Sequence, residues 1–384
     1  MNDKKNVSVL YIITKLELGG AQKVCLSLLK GVKAQGGFAG LISGDQGPMV
    51  KDVQDLDFIY LLKNLKREIG LKNLFKDIKV FFQLIKIIKN LKIKYPNLIV
   101  HTHSTKAGIL GRWAAFFSGV KKRVHTVHGF GFHEYQNKLA WLFNYLMEFF
   151  TSFVTTNYVC VSQNDINIGN KFLPFFKKRN SLIRAAVEYD KFYIPAKRIN
   201  NFDNEKFIIG TVSCFKPQKN LIDLLRAYKK VVNDLSDKKE KLLLQIIGEG
   251  ALRLDLENWV LKNNLQNQVE FLGWQNNVAS WLKTWNLFVM SSLWEGLPCA
   301  IVEARLSRLP VVAYKISGIP EVVIDNENGF LVAPGNWNDL AEKIKFFVLN
   351  HRDYLDMSNH QDSLFDFHET SMIKNHITLY QYLF

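Results

Sequence analysis

Short apolar runs of five to seven residues alternate with stretches of helical periodicity along almost the whole chain. In the first half the runs are Val7 to Ile13, Ala39 to Ser43, Leu98 to His103, Arg123 to His128 and Tyr158 to Ser162. In the second half they are Phe207 to Ser213, Leu242 to Gly248, Val269 to Gly273, Leu287 to Ser292 and Pro310 to Tyr314. Apolar runs of this length between helical segments predict buried parallel strands joined by crossover helices. Each half reads as its own α/β layer, with a polar stretch around Glu188 to Asn204 as the connector. Lys72 to Lys94 places Leu74, Ile78, Phe81, Phe82, Ile85, Ile88 and Leu91 at roughly helical spacing among lysines, a basic amphipathic helix. Leu139 to Val154 is apolar but carries Asn144, Glu148 and Thr151, which predicts a buried or interfacial helix and not a membrane span.

Length and composition fit that picture. At 384 residues, 48% of them hydrophobic and 22% charged, the chain has material for two cores and no sign of disorder or of a fixed-period repeat. The net charge of +15 is lopsided: residues 1–185 hold 28 basic and 11 acidic side chains, the remainder 22 and 24. A basic excess confined to one half suits nucleic acid or an anionic membrane face. Cys25, Cys160, Cys214 and Cys299 lie far apart, without the paired spacing of a zinc site or a disulfide framework, which fits a reducing cytoplasm. The N-terminus carries no signal-peptide pattern.

Two segments carry candidate chemistry. Gly19-Gly20 follows the first strand and opens a helix, so backbone amides can approach an anion there. The second segment runs Ser291-Ser292-Leu293-Trp294-Glu295-Gly296-Leu297-Pro298-Cys299-Ala300-Ile301-Val302-Glu303: a strand end, a Gly-Pro turn and a helix start. With Pro298 at the first helical position, the amides of Cys299, Ala300 and Ile301 form a diphosphate cradle. Glu295 and Glu303 flank it. Carboxylates repel phosphate, so these two are placed to accept hydrogen bonds from hydroxyls, as on a sugar and a ribose.

This segment resembles the paired-glutamate signature of the retaining glycosyltransferases of the two-domain GT-B fold, the large family four group of the bacterial surface-polysaccharide type. Ser213-Cys214-Phe215-Lys216-Pro217-Gln218-Lys219-Asn220, Ile247-Gly248-Glu249-Gly250, Phe271-Leu272-Gly273, Ser317-Gly318-Ile319-Pro320-Glu321 and Asn328 to Val332 resemble further family stretches in order. So do Gly19-Gly20-Ala21, His103 to Gly108 and His125 to Gly129 in the first half. The resemblance implies two Rossmann-like domains facing across a cleft, at 1–187 for the acceptor and 206–367 for the nucleotide-sugar. It further implies a connector at 188–205 and a C-terminal helix, 368–384, returning to the first domain. Glu303 is then expected on the ribose, Glu295 on the donor sugar and Lys219 on the diphosphate. Gly19 and Gly20 are expected at the phosphates, His128 at the sugar, and Ser213, Gly248 and Leu272 around the nucleotide. The catalytic set expected is His128, Lys219 and Glu295.

The implied reaction moves a sugar, with retention, from a nucleotide diphosphate donor of UDP type to a hydroxyl of a saccharide or polyprenyl-linked acceptor. No cofactor and no metal is expected, because a lysine can meet the leaving diphosphate. Asp55-Leu56-Asp57 has the form that holds manganese in the other major glycosyltransferase fold, but it precedes an apolar run where a metal site would follow a strand. The expected partners are the donor, the acceptor and an anionic membrane surface, with no nucleic acid, and the expected place is the cytoplasm or its membrane face. One departure stands out: the family often has an arginine where Cys214 stands, so Lys216 is expected to take part of the diphosphate charge. The rival readings are an epimerase or phosphorylase on the same scaffold, and a non-catalytic basic binding protein.

Overall fold

The computed structural model describes residues 7–17, 19–53, 56, 58–66, 73–197, 206–360 and 362–383. Asp55 and Asp57, Leu18, Lys72, residues 198–205 of the connector and Phe384 therefore lie outside the described residues. The chain divides into two units, Met1–Ala186 with Asp366–Phe384, and Val187–Phe365.

The first unit runs β1 (Ser8–Ile12), α1 (Gly20–Ala34), β2 (Phe38–Ser43), β3 (Ile59–Leu61), α2 (Leu74–Lys94), β4 (Ile99–His103), α3 (Thr105–Phe117), β5 (Lys122–Val127), α4 (Lys138–Ser152), β6 (Asn157–Cys160), α5 (Gln163–Phe172) and β7 (Asn180–Leu182). The second runs α6 (Tyr189–Phe192), β8 (Phe207–Val212), α7 (Leu221–Asp234), β9 (Leu242–Ile247), α8 (Arg253–Lys262), β10 (Val269–Gly273), α9 (Val278–Thr284), β11 (Leu287–Met290), α10 (Cys299–Leu306), β12 (Val311–Tyr314), β13 (Gly329–Val332), α11 (Trp337–Leu349) and α12 (His351–Ser358). The last helix, α13 (Glu369–Tyr382), belongs to the first unit.

All pairings are parallel. The first sheet has the order β3-β2-β1-β4-β5-β6-β7 and the second β10-β9-β8-β11-β12-β13. Each sheet reverses its direction of growth once, between β1 and β4 and between β8 and β11, and such a switch point opens a crevice beyond the strand ends. All ten predicted strands form. β3, β7 and β13 were not foreseen: β3 and β7 are three-residue edge strands with exposed or half-exposed side chains, without the burial of a doubly covered strand, although β3 lies in the apolar run Phe58 to Leu62.

Right-handed crossovers set α2, α3 and α4 side by side on one face of the first sheet, while α13 packs against α1. Under α2 the core is Val80, Leu84, Ile88 and Leu91 on Leu10, Ile12, Val100 and Ala114. That corrects the expected apolar face, because Leu74, Ile78 and Phe82 point outward. Of the two readings of Leu139 to Val154, the fully buried helix does not hold: in α4 the buried residues are Glu148, Thr151 and Ser152. Arg112 of α3 grips Glu148 through Nη1 to Oε1 at 2.7 Å and Nη2 to Oε2 at 2.8 Å, and its Nε donates to the Gly108 carbonyl at 2.9 Å. A buried bidentate pair with its remaining donors satisfied fixes which side of α4 faces in.

Candidate active site

The second unit builds its site at the β8/β11 switch point. The loop after β8 carries Lys216 to Lys219, and the loop after β11 carries Glu295. The two loops are tied together by backbone and side chain. The Leu293 amide donates to the Gln218 carbonyl at 2.9 Å, and Ser291 Oγ donates to the Asn220 carbonyl at 2.9 Å. On that frame Lys219 Nζ reaches Glu295 Oε1 at 2.5 Å, both side chains being largely covered. Gln218 Nε2 donates to the Trp294 carbonyl at 2.7 Å and to Glu295 Oε2 at 3.3 Å. The Glu295 amide donates to Ser317 Oγ at 3.3 Å, with Ser317 itself at a left-handed φ of 46°. Lys219 and Glu295, 76 residues apart, are thus one charge-paired unit held by Gln218 and Ser317. Neither of those two residues was assigned a role from sequence, although both sit inside stretches that carried the family resemblance.

Gly248 shows why its position takes no side chain. Its φ is +134°, and a Cβ there would lie 1.9 Å from the Ser213 carbonyl oxygen. Ser213 is buried and donates its amide to the Ile247 carbonyl at 2.9 Å, so the loops after β8 and β9 close on one another at this edge. Leu272, half-buried in β10, gives its carbonyl to Gln275 Nε2 at 2.7 Å. Lys216 is exposed, and among the described residues it makes no ion pair. Cys214 beside it is half-buried.

The start of α10 differs from expectation. Pro298 is the cap residue, extended at φ −75° and ψ 115°, and the helix begins at Cys299. The Ile301 amide already donates to the Pro298 carbonyl at 3.1 Å and its side chain is fully buried, so Ile301 drops out of the expected cradle. The first turn closes tightly onto the cap carbonyl, which uses an amide that a ligand would otherwise take. Cys299 and Ala300 remain half-exposed at the helix start, and Glu303 is half-buried on the same helix. Trp285 is buried with its indole on Gln245, whereas Trp274 is 56% exposed just past β10.

In the first unit, Gly19 caps α1 in an extended conformation and Gly20 begins it. Beside that turn, Thr14 Oγ1 and Ser104 Oγ lie 2.6 Å apart across the β1/β4 switch point, Ser104 at a left-handed φ of 64°. His128 follows β5, with Nε2 3.2 Å from Nδ1 of His103. The His103 ring stacks on His101 at 4.6 Å, and His101 is held between Thr126 Oγ1 at 2.7 Å and Tyr380 of α13 at 2.5 Å. Burial, reinforced by the neighbouring imidazoles, holds His101 and His103 well below the ordinary histidine range. Burial first, then His376, brings His128 down to about 4. His128 is therefore a neutral hydrogen-bonding group at neutral pH. His101, His103 and His376 were not read from sequence as its support, because only the fold brings α13 to the ends of β4 and β5. Among the described residues no group of three His, Cys, Asp or Glu side chains could hold a metal ion.

Two parallel-sheet units with switch-point loops of this kind define the GT-B class of glycosyltransferase fold. Solved structures agree over nearly the whole chain. The sucrose-phosphate synthase from Thermosynechococcus elongatus superposes with a TM-score of 0.80 at 19% identity, covering 98% of this chain and 99% of its own. Anabaena Alr3699/HepE, in complex with UDP and glucose, gives 0.78 at 17% identity, covering 97% and 99%. In sequence, residues 18–185 match the model described as Glycosyltransferase Family 4, and 194–362 that of Glycosyl transferases group 1. The Escherichia coli UDP-Gal:alpha-D-GlcNAc-diphosphoundecaprenol alpha-1,3-galactosyltransferase is 34% identical over 86% of this chain and 84% of its own length. The Staphylococcus aureus capsular polysaccharide biosynthesis glycosyltransferase CapM is 25% identical over 74% of each. The chain belongs to glycosyltransferase family 4 and is a glycosyltransferase.

Proposed function

We propose that this chain transfers a hexose from a UDP-sugar to a hydroxyl of a polyprenyl-diphosphate-linked saccharide in cell-surface polysaccharide synthesis, with retention and without a metal. The observation that carries the proposal is the Lys219–Glu295 pair at the β8/β11 switch point. In this reading Lys219 and Lys216 meet the diphosphate together with the Cys299 and Ala300 amides, and Glu303 takes the ribose hydroxyls. Glu295 turns its carboxylate to the sugar hydroxyls, and neutral His128 adds a hydrogen bond to the sugar. The bond from the sugar's anomeric carbon to the β-phosphate oxygen breaks while the bond to the acceptor oxygen forms on the same face. The acceptor's proton passes to the departing phosphate oxygen. No side chain forms a covalent intermediate; the protein positions the reactants and stabilises the charge that develops on the leaving group. The polyprenyl-linked acceptor is supported by the name of the E. coli relative and by the basic excess of the first half, which suits the inner face of the plasma membrane.

The test is transfer from labelled UDP-galactose, then from other UDP- and GDP-sugars, to a synthetic N-acetylglucosaminyl-diphospholipid, in EDTA, with the anomer read by NMR. Turnover in EDTA with an α-linked product is expected. Lys219→Ala and Glu295→Ala should each lower kcat by about 100-fold or more, as loss of one preorganised charge partner does. Wild-type turnover in both variants would remove the site assignment, and a β-linked product would remove retention.

A further inference from the structure

Helix α4 carries a second apolar face. Its fully buried residues are polar, Glu148, Thr151 and Ser152; Trp141, Tyr145 and Phe149 pack against Phe132, Phe172 and the core around Tyr158 and Phe176, and a further set of large apolar side chains faces away from the protein. Leu139 is 81% exposed, and Leu142, Phe143, Leu146, Phe150 and Phe153 are between 37% and 52% exposed. At about 100° per residue these six positions fall within an arc of about 100°, a single continuous stripe along the helix and the residue that ends it. A monomer gains nothing by showing water such a stripe; exposed apolar patches of this size mark a contact surface.

The neighbouring helices extend it. Phe116 and Phe117 at the end of α3 are exposed, as are Leu74, Phe75, Ile78 and Phe82 on α2. Aromatic contacts run from Phe82 through Phe81 to Phe117 and Trp113, and Phe153 continues to exposed Phe175. Among the described residues the charge at its edges is mainly basic, Asp77 of α2 being paired with Lys106 and Glu134 standing exposed before α4. The Arg123 guanidinium lies 5.4 Å from the Phe116 ring and that of Arg179 5.2 Å from Phe175, with Lys121, Lys177 and Lys178 exposed nearby in sequence. The only carboxylate of α4, Glu148, is turned inward onto Arg112. A second copy seated two-fold on this stripe would bring the basic rims together, at a cost in repulsion. An anionic lipid surface gains from both the stripe and the rim.

We infer that α4, flanked by the ends of α2 and α3, docks the first unit on an anionic membrane, with the helix lying in the plane of the interface. Its 15 residues span about 22 Å, short of the roughly 30 Å hydrocarbon core. No helix among the described residues is long and apolar enough to cross a membrane. Insertion of the stripe among the upper acyl chains leaves Arg123 and Arg179 at headgroup depth.

The test is flotation of the full chain with phosphatidylglycerol-phosphatidylethanolamine vesicles and with phosphatidylcholine vesicles, beside a Leu142→Ser/Phe143→Ser/Phe150→Ser variant. These positions are already exposed, so the variant should melt like the parent and keep its turnover on a short water-soluble acceptor. The parent is expected to float with the anionic vesicles and weakly with the neutral ones, and the variant to lose about tenfold or more in partitioning. Undiminished flotation of the variant overturns the inference. So does a parent that ignores anionic vesicles, or a parent dimer that the variant converts to monomer with no change in flotation. Turnover on the soluble acceptor is read separately, so a protein that floats but transfers no sugar refutes the proposed reaction and leaves the docking surface standing.

Discussion

His376 of α13 is buried, its Nδ1–H donating to the Met372 carbonyl at 2.9 Å while, among the described residues, Nε2 has no hydrogen-bond partner. Burial brings it down to about 4, against an ordinary value near 6.5. Below pH 6.5 the unfolded chain therefore takes up a proton that the folded one refuses, and stability falls as pH falls until the folded ring itself protonates near pH 4. Between pH 7 and pH 5 this one residue should cost about 2 kcal/mol. Urea unfolding at both pH values should show a smaller loss for His376→Gln than for the parent; an equal loss would mean that the histidine cluster does not govern acid stability. At the same scale, sequence named Lys219 and Glu295 but not their pairing, because two residues 76 positions apart are brought together only by the strand order. Ile301 was misplaced for a local reason: whether a first-turn amide is spent on its own cap is a matter of backbone geometry that residue identity does not encode.

Among the elements, the contact of α1 with α13 is set by a missing side chain. A Cβ on Gly31 would lie 2.6 Å from Ile373 Cγ2, so Gly31→Ala should push α13 outward at a cost of about 1–3 kcal/mol. The displacement would also disturb Tyr380, which holds His101. Thermal unfolding should fall by several degrees, and hydrogen exchange should quicken in α13 before it does in β4 or β5; unchanged exchange in α13 would refute the packing argument. The central strands were legible in sequence because burial on both faces writes an uninterrupted apolar run, as in Leu287 to Met290. Helix α2 was legible as a helix but not in its rotation. Apolar residues lie on both its inner and outer faces, so periodicity alone could not tell which stripe meets the sheet.

For the whole molecule, the basic excess of the first half and the outward stripe of α4 belong to the same unit. A chain docked through that stripe meets a lipid-linked acceptor in two dimensions. Turnover on it then follows the mole fraction of acceptor in the bilayer and not its bulk concentration. With total acceptor held fixed, adding inert anionic lipid beyond what binds all the enzyme should slow transfer in proportion to the dilution. The rate on a water-soluble acceptor should stay level, and identical behaviour of the two substrates would show that the membrane plays no part in their encounter. Docked as inferred, the outward stripe of α4 would make bilayer area a kinetic variable, and crowding a lipid-linked acceptor into less membrane would speed transfer without more of either.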